Sequence, residues 1–528
     1  MSTHSLIRIE YYSITMTLNP NRARDTINKY VGASDDDRVK MFPKFFTKVK
    51  LDTFRHVKGL SMDFIHPITV ISGSNCSGKT SVLMTIACSH YNFDRQDVAN
   101  GEWKRATWSS LVRFTNHDTQ LVDWEYHVGF REGTVPHFVK GFRRYNTKKW
   151  GGAGKKEGQI GKPTKGHPEG GRHVCLIDLN RINPGRHLTM SAYNKARKAA
   201  AENLENQDSI NEYLSYILEF NYDVRKLTES ADNNVYKFSA GSEKEYSSFN
   251  TASGEDVLIN LLTQILHIPN YSLILIDELE IGLHPKIQRR LMDVIYMIAN
   301  EQHKQFIITS HSYAIIDSVS KESRLFIENK GGACKCLPGL STYETLTRMD
   351  CVAFPVSIIY VEDEISKWII DKALEKINTE SPGFSRLVKP IKVGSADKTF
   401  QYFKTRQELN DRESLFAKPA CILDGDMRNK KSTDGVNKYP AEENLFFHYS
   451  EDAPEKMLLN LYLKSHLDGN LQYHLKHSNP HCLLQKMVDN GVATDKTNAF
   501  NLCFAEYIAD SEGYAHYTEL INFLIRLV

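Results

Sequence analysis

The chain has 528 residues, more than a single hydrophobic core normally holds, which predicts about two to four domains. With 41% hydrophobic and 25% charged residues, the composition is that of a soluble globular protein, and a formal net charge of only +2 excludes nucleic-acid binding driven by total charge. No run of about 18 apolar residues predicts a membrane span, and the first residues do not resemble a signal peptide. The nine scattered cysteines favour reduced thiols, so we expect a cytoplasmic protein.

The first elements in chain order are a strand, a glycine-rich turn and a helix. Residues 1–45 are polar and mixed, and we interpret them as an N-terminal extension. Phe46 to Leu51 alternates like a strand, Ile68 to Ile71 is a β-branched run, and a helix is expected from Gly78. We therefore expect residues 46–187 to form the first part of an α/β domain.

Within this part, residues 140–172 are rich in glycine, lysine and arginine and contain only two acids. Such a segment cannot bury apolar surface, so it is predicted to be a mobile loop. Its basic side chains could hold phosphates while Phe142, Tyr145 and Trp150 stack on unpaired bases. A solvated loop that binds nothing in particular is the alternative. The basic residues are Lys140, Arg143, Arg144, Lys148, Lys149, Lys155, Lys156, Lys162, Lys165 and Arg172.

The next segments predict a helical insertion followed by the rest of the first domain. Residues 188–230 are expected to be helical, because Lys198 to Glu202 consists of strong helix formers. Tyr271 to Ile276 and Phe306 to Thr309 are apolar runs typical of buried strands. We place them in the second part of the first domain, over residues 231–350.

A second parallel α/β domain is predicted over residues 351–450. Its strands are Val356 to Val361, Ile391 to Val393 and Ala420 to Leu423, with helical segments between them. Residues 451–528 are expected to be mainly helical.

Residues 73–80 match the pattern of a phosphate-binding loop, G-x-x-x-x-G-K-[ST]. Gly73 and Gly78 allow the backbone, including Asn75, to wrap phosphates at a helix N-terminus, where free N–H groups face the anion. Lys79 would neutralise β- and γ-phosphate charge, and the Thr80 hydroxyl would bind Mg²⁺. A glycine-rich turn without a ligand is the alternative. The flanking strand and helix favour the nucleotide site.

Two later strand ends supply further groups for such a site. A buried run ends at Asp277 and Glu278, so Asp277 would hold the Mg²⁺ shell and Glu278 would act as general base on the attacking water. Another strand leads to His311, a candidate sensor of the γ-phosphate. Solvated acids and a structural histidine are the common alternatives for each feature alone, but their order after the phosphate loop favours an ATPase.

A second group of acids follows the strands of the second domain. Glu362 comes directly after the first strand, Gly394 after the second, and Asp424 and Asp426 after the third. Parallel α/β sheets form their sites at these strand ends, and carboxylates are the ligands that Mg²⁺ prefers. Two such ions beside a phosphodiester can activate water and stabilise the leaving oxygen. Glu362 is either a ligand or the general base. The alternative is an α/β domain without catalytic acids.

The order of motifs in the first domain resembles ABC ATPases of the SMC and OLD kind. Asp277 to Pro285 is similar to their Walker B and D-loop region, and Ser253, Gly254 and Glu255 stand where the ABC signature belongs. In that family the signature of one protomer closes over ATP bound to the other, so the resemblance implies a head-to-tail dimer. The chain departs from the pattern in two places. Ala252 stands in place of the signature serine and Cys76 in place of a P-loop glycine.

The second domain resembles a TOPRIM domain, and the combination of the two resembles the OLD family of nucleases. The resemblance implies that Glu362, Asp424 and Asp426 bind Mg²⁺, with Mn²⁺ or Ca²⁺ as further candidates. Ser366 replaces a second family glutamate, for which Glu364 is the candidate substitute.

Two more roles and a dimerisation element come from the same resemblance. Pro454 to Lys456 resembles the region where the family places another acid and a basic residue, so Glu455 is a candidate metal ligand and Lys456 a candidate catalytic residue. Residues 188–230 would correspond to the family's helical dimerisation element. Relatives of this kind include effectors of bacterial anti-phage systems of the Gabija and retron type, which implies a defence role.

The sequence therefore predicts an α/β protein with an ABC-type P-loop ATPase, a helical dimerisation insertion, a TOPRIM domain and a helical C-terminus. The function expected is that of a homodimeric or larger DNA endonuclease that uses ATP and Mg²⁺. A regulatory protein or RNA partner is a further expectation. Two alternatives stay open: an ATP-driven sensor or scaffold that acts through a partner, and a TOPRIM domain that cuts RNA.

Overall fold

A computed structural model describes residues 18–528 of the chain, with short gaps. The residues left out within that range are 97–102, 116, 119, 156–157, 164, 166–170, 183–188, 230–233, 242–243, 331–332, 351–354, 382 and 414–416. The contacts divide the chain into two units, Met1–Thr342 and Tyr343–Val528. Sequence analysis placed this boundary at residue 350, within a helix that the structure assigns almost entirely to the second unit.

The first unit contains two sheets and nine α-helices in its described residues. Its strands are β1 (Lys44–Phe54), β2 (Val57–Asp63), β3 (Ile68–Gly73), β4 (Phe93–Gln96), β5 (Trp103–Arg105), β6 (Trp124–Glu132), β7 (Val135–Arg143), β8 (Trp150–Gly152), β9 (Val174–Ile177), β10 (Tyr222–Glu229), β11 (Asn234–Ala240), β12 (Lys244–Ser247), β13 (Leu273–Ile276), β14 (Gln305–Thr309), β15 (Arg324–Lys330) and β16 (Ala333–Pro338). Its helices are α1 (Pro20–Asn28), α2 (Asp35–Met41), α3 (Lys79–Ser89), α4 (Trp108–Leu111), α5 (Met190–Ala196), α6 (Gln207–Leu218), α7 (Ser253–His267), α8 (Pro285–Gln302) and α9 (Tyr313–Asp317).

The large sheet of this unit has a parallel centre and an antiparallel side. The strands β9, β13, β14, β3 and β15 are parallel neighbours in that order. Every residue of β3, β13 and β14 is buried, as expected for parallel strands covered on both faces. On the other side, β2, β1, β6, β7 and β8 are antiparallel neighbours. The parallel centre brings the ends of β3, β13 and β14 to one edge of the sheet.

The N-terminal segment is part of this unit, at least from residue 18. Arg24 on α1 forms an ion pair of 2.7 Å with Asp293 on α8, and the side chain of Ile27 is fully buried. The buried ring of His66 bonds through Nε2 to Oδ1 of Asn28 at 3.1 Å. The interpretation of residues 1–45 as an extension is therefore wrong for residues 20–41, because α1 buries an apolar face that its short, polar sequence did not reveal. Residues 1–17 lie outside the described range.

Residues 140–172 do not form one long loop. The strands β7 and β8 occupy part of the segment, and Trp150 stacks on Trp108 with ring centroids 4.3 Å apart. Glycines in this segment serve close packing: a Cβ at Gly141 would lie 2.1 Å from the ring of Tyr126. The prediction failed because composition does not distinguish glycines that give freedom from glycines that admit a neighbouring aromatic ring.

The same region uses several of its basic residues internally. Lys140 pairs with Glu125 at 2.7 Å, and Arg144 pairs with Asp123 at 2.7 Å. Arg172 donates hydrogen bonds to the backbone oxygen of Ser272 and to the side chain of Gln305. Five further lysines, Lys148, Lys149, Lys155, Lys162 and Lys165, are exposed, and Lys156 lies outside the described residues.

Residues 188–230 are only partly helical. The helices α5 and α6 are present, but Lys198 to Glu202 is not helical, and the segment ends in strand β10. Glu202 and Lys226 exchange backbone hydrogen bonds of 2.8 and 2.9 Å. A backbone pairing with a distant residue has outweighed the helix propensity of the three alanines.

The second unit is a four-stranded parallel sheet with helices around it. Its strands are β17 (Ser357–Val361), β18 (Val388–Lys392), β19 (Lys418–Leu423) and β20 (Leu445–Phe447), in the order β18, β17, β19, β20. Its helices are α10 (Thr342–Asp350), α11 (Glu364–Glu380), α12 (Ala396–Glu413), α13 (Pro454–Ser465), α14 (Gly469–His477), α15 (Leu483–Asp489), α16 (Lys496–Ala509) and α17 (Ser511–Arg526). The last five helices pack with α11 and β17 in one hydrophobic cluster.

No helix in the described parts of the chain combines the length and the apolar character needed to cross a bilayer.

Candidate nucleotide site and carboxylate cluster

The loop between β3 and α3 has the backbone that a phosphate-binding loop requires. Gly73 has a φ of 153° and Gly78 a φ of 102°, and Cβ atoms there would lie 2.6 Å from the Ile327 oxygen and 2.4 Å from Val57 Cγ2. Neither position therefore admits a side chain. Cys76, which stands where the family has glycine, adopts a φ of 59°, so the chain keeps the left-handed conformation without the glycine. Asn75 is exposed at the loop.

Lys79 and Thr80 occupy the positions from which they would contact phosphates and a cation. The ammonium group of Lys79 donates to the backbone oxygens of Gly73 and Ser74 at 2.9 and 3.1 Å. Burial lowers its pKa, while the charges of Asp277 and other nearby acids oppose that shift. The Thr80 hydroxyl donates to Oδ2 of Asp277 at 2.9 Å. The structure thus brings together the predicted Mg²⁺ ligands Thr80 and Asp277.

The end of β13 is held by the neighbouring strand β14. The Thr309 hydroxyl donates to Oδ1 of Asp277 at 2.6 Å and accepts the backbone N–H of Glu278 at 2.8 Å. Glu278 has a φ of 49°, an uncommon conformation for a residue with a side chain. Glu278 and Asp277 therefore follow β13 in a fixed geometry, consistent with separate roles in catalysis and metal binding.

Glu280 is a residue of this site that sequence analysis missed. Its Oε1 accepts the backbone N–H of His311 at 2.5 Å, so it joins the segment after β13 to the segment after β14. The acid lies three positions beyond Asp277, where its sequence context gave no separate signal. Glu280 positions the predicted sensor His311.

The predicted signature residues Ser253, Gly254 and Glu255 form the first turn of α7. The carboxylate of Glu255 accepts hydrogen bonds from the backbone of Ala252 at 3.2 Å, from Tyr222 at 2.6 Å and from Tyr246 at 2.9 Å, and it is also bonded to the hydroxyl of Thr251. These donors all lie in residues 222–252. Glu255 therefore fixes the start of its own helix within the first unit.

In the second unit, Glu362 and Asp424 meet at the carboxyl ends of β17 and β19. These strands are parallel neighbours, and Oε1 of Glu362 accepts the backbone N–H of Asp424 at 2.9 Å. The side chain of Asp424 is buried and accepts the Ser366 hydroxyl at 3.0 Å. Ser366, which stands in place of a glutamate in the predicted resemblance to TOPRIM domains, thus contacts one of the predicted ligands. Asp426 is exposed in the short turn after β19.

The electrostatics of these acids are dominated by burial and by one another. Burial, with the charges of Asp426 and Asp363, raises the pKa of Glu362. Burial also raises the pKa of Asp424, with Glu362, Asp363 and Glu455 contributing. Buried carboxyl groups that face each other avoid ionisation unless a positive charge compensates them. This donor set therefore fits a hard divalent cation.

A second group of ligand atoms lies next to the first. Asp363, Glu455 and His481 each offer one such atom, and these atoms all lie within 4.8 Å of one another. Sequence analysis named Glu455 but neither of the other two. Asp363 follows Glu362 directly and was passed over as its neighbour, whereas no motif singles out His481.

Two predicted residues are engaged elsewhere. The side chain of Glu364 lies 3.8 Å from the ammonium group of Lys367, and both side chains are partly exposed. Lys456 pairs with Asp452 at 2.7 Å. None of the contacts described for the second unit joins Glu364 or Lys456 to Asp424. Asp363 is among the acids that raise the pKa of Asp424, so it is a better candidate than Glu364 for the predicted role.

Comparison with known proteins gives one family match. Residues 169–317 match the model described as "AAA domain, putative AbiEii toxin, Type IV TA system". The matched range includes the signature segment, the end of β13 and His311, but not the phosphate-binding loop. No protein with a curated description matches the chain.

Solved structures show a distant similarity over part of the chain. The SMC head domain from Thermotoga maritima has 14% identity and a TM-score of 0.35, covering 56% of this chain and 99% of its own. A Smc head domain from Pyrococcus furiosus, bound to the C-terminal domain of ScpA, has 11% identity and a TM-score of 0.35, covering 56% and 96%. The recombination mediator protein RecF of the RecFOR pathway ("RecF-ATPrS") has 12% identity and a TM-score of 0.33, covering 56% and 99%. Sequence identities and TM-scores this low say nothing about activity.

The family match and the geometry of the phosphate loop agree on the first unit. The loop, the Thr80–Asp277 contact and the Glu278 conformation are arranged as nucleotide binding requires. The family model adds independent support over residues 169–317. Together they support a P-loop ATPase in the first unit, with residues 169–317 similar to the AAA domain family.

Proposed function

We propose that the chain is an ABC-type ATPase joined to a divalent-metal-dependent DNA endonuclease of the OLD type, with the second unit as its TOPRIM domain. One observation carries this proposal. Glu362 and Asp424 stand at the carboxyl ends of adjacent parallel strands and are linked by a hydrogen bond of 2.9 Å. Acids crowded at this edge of a parallel sheet are suited to hold a cation beside a phosphodiester.

In this proposal each acid of the second unit has a separate role. Asp424 and Asp426 would hold Mg²⁺, and Glu362 would be a ligand or would accept a proton from the attacking water. Bound Mg²⁺ would supply Lewis acidity and stabilise charge on the leaving oxygen. Ser366 holds the Asp424 carboxylate by a hydrogen bond, which keeps its second oxygen available to a cation. Mn²⁺ and Ca²⁺ are further candidates for the same ligands.

The first unit would control this activity through ATP. Lys79 would neutralise phosphate charge, Thr80 and Asp277 would hold Mg²⁺, and Glu278 would orient the hydrolytic water. His311, held by Glu280, would contact the γ-phosphate. Because ABC ATPases of the kind this chain resembles close the signature of one protomer over ATP bound to the other, we propose that a second copy of the chain presents its signature to this site. The working form would then be a homodimer or a larger assembly.

The biological setting follows from the family resemblance alone. OLD-type nucleases in bacterial anti-phage systems support a defence role, in which DNA is the target and a protein or RNA partner restrains cleavage. Five exposed lysines of the basic segment, Lys148, Lys149, Lys155, Lys162 and Lys165, remain available to phosphates.

A second candidate is an ATP-driven sensor or scaffold that acts through a partner. It is favoured by departures from the family pattern at both sites. Ser366 replaces a glutamate beside Asp424, and Ala252 replaces the signature serine. Cleavage of RNA instead of DNA is the third candidate.

The test uses full-length protein with supercoiled DNA, single-stranded DNA and single-stranded RNA, in Mg²⁺ or Mn²⁺, with and without ATP. We expect metal-dependent cleavage of DNA that is lost in the Asp424→Ala/Asp426→Ala variant, by at least about a hundredfold, which is typical of removing a group that stabilises charge in the transition state. The matched control is Asp434→Ala, an exposed aspartate of the same unit, which should cleave like wild type.

Each other outcome selects a different candidate. Cleavage by the double variant at the wild-type rate would contradict the nuclease proposal. Absence of cleavage of every substrate with either metal would favour the sensor or scaffold. Cleavage of RNA alone would select the third candidate.

A further inference from the structure

Three elements of the second unit place one ligand atom each at a common point. Asp363 is the N-cap of α11, Glu455 lies in the first turn of α13, and His481 lies in the short turn Pro480–Cys482. Nδ1 of His481 is 3.0 Å from Oε1 of Glu455 and 3.8 Å from Oδ2 of Asp363. The arrangement needs the helical C-terminal part of the chain, because His481 comes from there.

Each of the two carboxylates next to the histidine has one buried oxygen without a hydrogen-bond partner among the described residues. Glu455 is only 3% exposed, and its Oε2 is buried without a hydrogen-bond partner among the described residues. Oδ1 of Asp363 accepts the backbone N–H of Ser366 at 2.8 Å, whereas its Oδ2 is likewise buried and unpartnered in the described part of the unit. A single proton on Nδ1 of His481 cannot satisfy all of these oxygens.

The separations match those of ligands around one metal ion. For bonds of about 2.1 Å, adjacent ligand atoms of an octahedral ion lie about 3.0 Å apart and opposite ones about 4.2 Å. Nδ1 of His481 lies 3.0 Å from Glu455 Oε1 and 3.8 Å from Asp363 Oδ2, both within this range. All three ligand atoms lie within 4.8 Å of one another, which is close to its upper end. Small side-chain adjustments would therefore seat an ion, with the exposed side of His481 leaving positions for water.

We propose that Asp363, Glu455 and His481 form a site for a divalent first-row transition metal, separate from the Glu362, Asp424 and Asp426 set. The site goes beyond the proposed function and does not rest on it. Its existence depends on the geometry of these three side chains alone.

The imidazole sets the class of metal. Carboxylates alone suit Mg²⁺ and Ca²⁺, whereas a neutral imidazole favours transition metals over these ions. The ion would take the place of the proton that Nδ1 carries next to the two acids, leaving the other ring nitrogen protonated. Mn²⁺ is the most stringent probe because it is the weakest binder of the first-row series, so any preference for Mn²⁺ over Mg²⁺ extends to the others.

The experiment measures Mn²⁺ binding to full-length protein by electron paramagnetic resonance in the presence of excess Mg²⁺, without nucleic acid. We expect one Mn²⁺ to remain bound, with a nitrogen coupling visible in pulsed spectra. His481→Ala should remove the nitrogen coupling and weaken Mn²⁺ binding at least about tenfold, by analogy with losses in metal-site mutants. His477→Ala, an exposed histidine outside the group, is the matched control and should bind Mn²⁺ like wild type.

A second variant separates metal binding from folding. His481→Asp keeps three ligands but makes all of them oxygen, so we expect binding to persist while the preference for Mn²⁺ over Mg²⁺ falls. The proposal is overturned if wild type shows no nitrogen coupling, or if His481→Ala binds Mn²⁺ as wild type does. Because no cleavage is measured, either result leaves the nuclease proposal to its own test, and a failure of cleavage leaves this one intact.

Discussion

The acids of the two sites in this protein differ in their hydrogen-bond and charge neighbours. In the first unit, each oxygen of Asp277 accepts a hydroxyl, and the nearby loop offers backbone N–H groups and the ammonium group of Lys79. In the second unit, Asp424 has Glu362, Asp363 and Glu455 as electrostatic neighbours. The first arrangement suits a phosphate anion together with its Mg²⁺, whereas the second, in our proposal, suits a cation alone. The difference shows that the donors and charges around an acid indicate, better than the acid alone, which kind of ligand its site can bind.

The largest expected effect breaks one side of this comparison. Lys79→Ala removes the ammonium charge from the phosphate loop, so we expect ATP binding, measured by calorimetry, to weaken at least about a hundredfold, as for loss of a charge-stabilising group. Metal binding to the second unit should stay unchanged. Lys40→Ala, an exposed lysine on α2, is the control. Equal ATP binding in both variants would contradict the assignment of Lys79.

The pH dependence of stability should have opposite signs in the two units when metal is absent. Burial lowers the pKa of His66 and of His90 from 6.5 to about 4. As the pH falls from 6.5 toward 4, the unfolded chain binds more protons than the folded first unit, so that unit loses stability. Each fully linked proton changes the stability by about 1.4 kcal/mol per pH unit.

For the second unit the sign is reversed above pH 6.5. Burial and neighbouring carboxylates raise the pKa values of Asp424 and Glu362, so the folded unit binds more protons as the pH falls toward 6.5 and gains stability. Below 6.5 the buried His448, whose pKa burial lowers to about 3, opposes this gain. Pulse-labelling hydrogen exchange during urea unfolding, in EDTA, reports the two units separately. Parallel pH profiles for both would contradict the comparison.

A neutral isostere tests the same contrast with a smaller effect. Asp424→Asn removes the cost of burying an acid among acids, whether that acid is ionised or must take up a proton to stay neutral, so the metal-free second unit should gain about 1 kcal/mol, or about 2–4 °C in its unfolding midpoint, while cleavage is lost. Asp277→Asn replaces an acid that accepts two hydroxyls and should give no such gain. The measurement is thermal unfolding in EDTA, and a lower midpoint for Asp424→Asn would count against like-charge crowding.

The smallest expected effect concerns the basic segment of the first unit. Changing Lys148, Lys149 and Lys155 to Glu should weaken DNA binding modestly and reduce the slope of log affinity against log salt by about one for each phosphate that the variant no longer neutralises. Lys140→Gln is the control, because Lys140 already pairs with Glu125. Unchanged binding by the triple variant at every salt concentration would exclude these lysines as a DNA-binding surface.

The sequence predicts which residues lie close together where a motif is local, and it does not where their proximity depends on packing. The phosphate loop could be predicted because Gly73, Gly78 and Lys79 act within eight consecutive residues, and the acids at strand ends because parallel strands deliver their ends to one edge. His481 could not, since the packing of α13, α15 and α16 brings it to Asp363. The resemblance suggested Glu364 as the substitute ligand, whereas the structure places Asp363, the N-cap of α11, in the group with Glu455 and His481.

The hydrogen bonds of Glu255 have a mechanical consequence. Its donors Tyr222 and Tyr246 belong to the two outer strands of the small sheet β10–β11–β12, so the sheet and the start of α7 are fastened together at one carboxylate. A Cβ at Gly254 would lie 3.3 Å from the backbone oxygen of Gly282, in the segment that follows the Walker B acids. A displacement of the small sheet must therefore move the helix start or break these bonds. Any such displacement would thereby reach the turn Ser253–Glu255, where the signature is predicted.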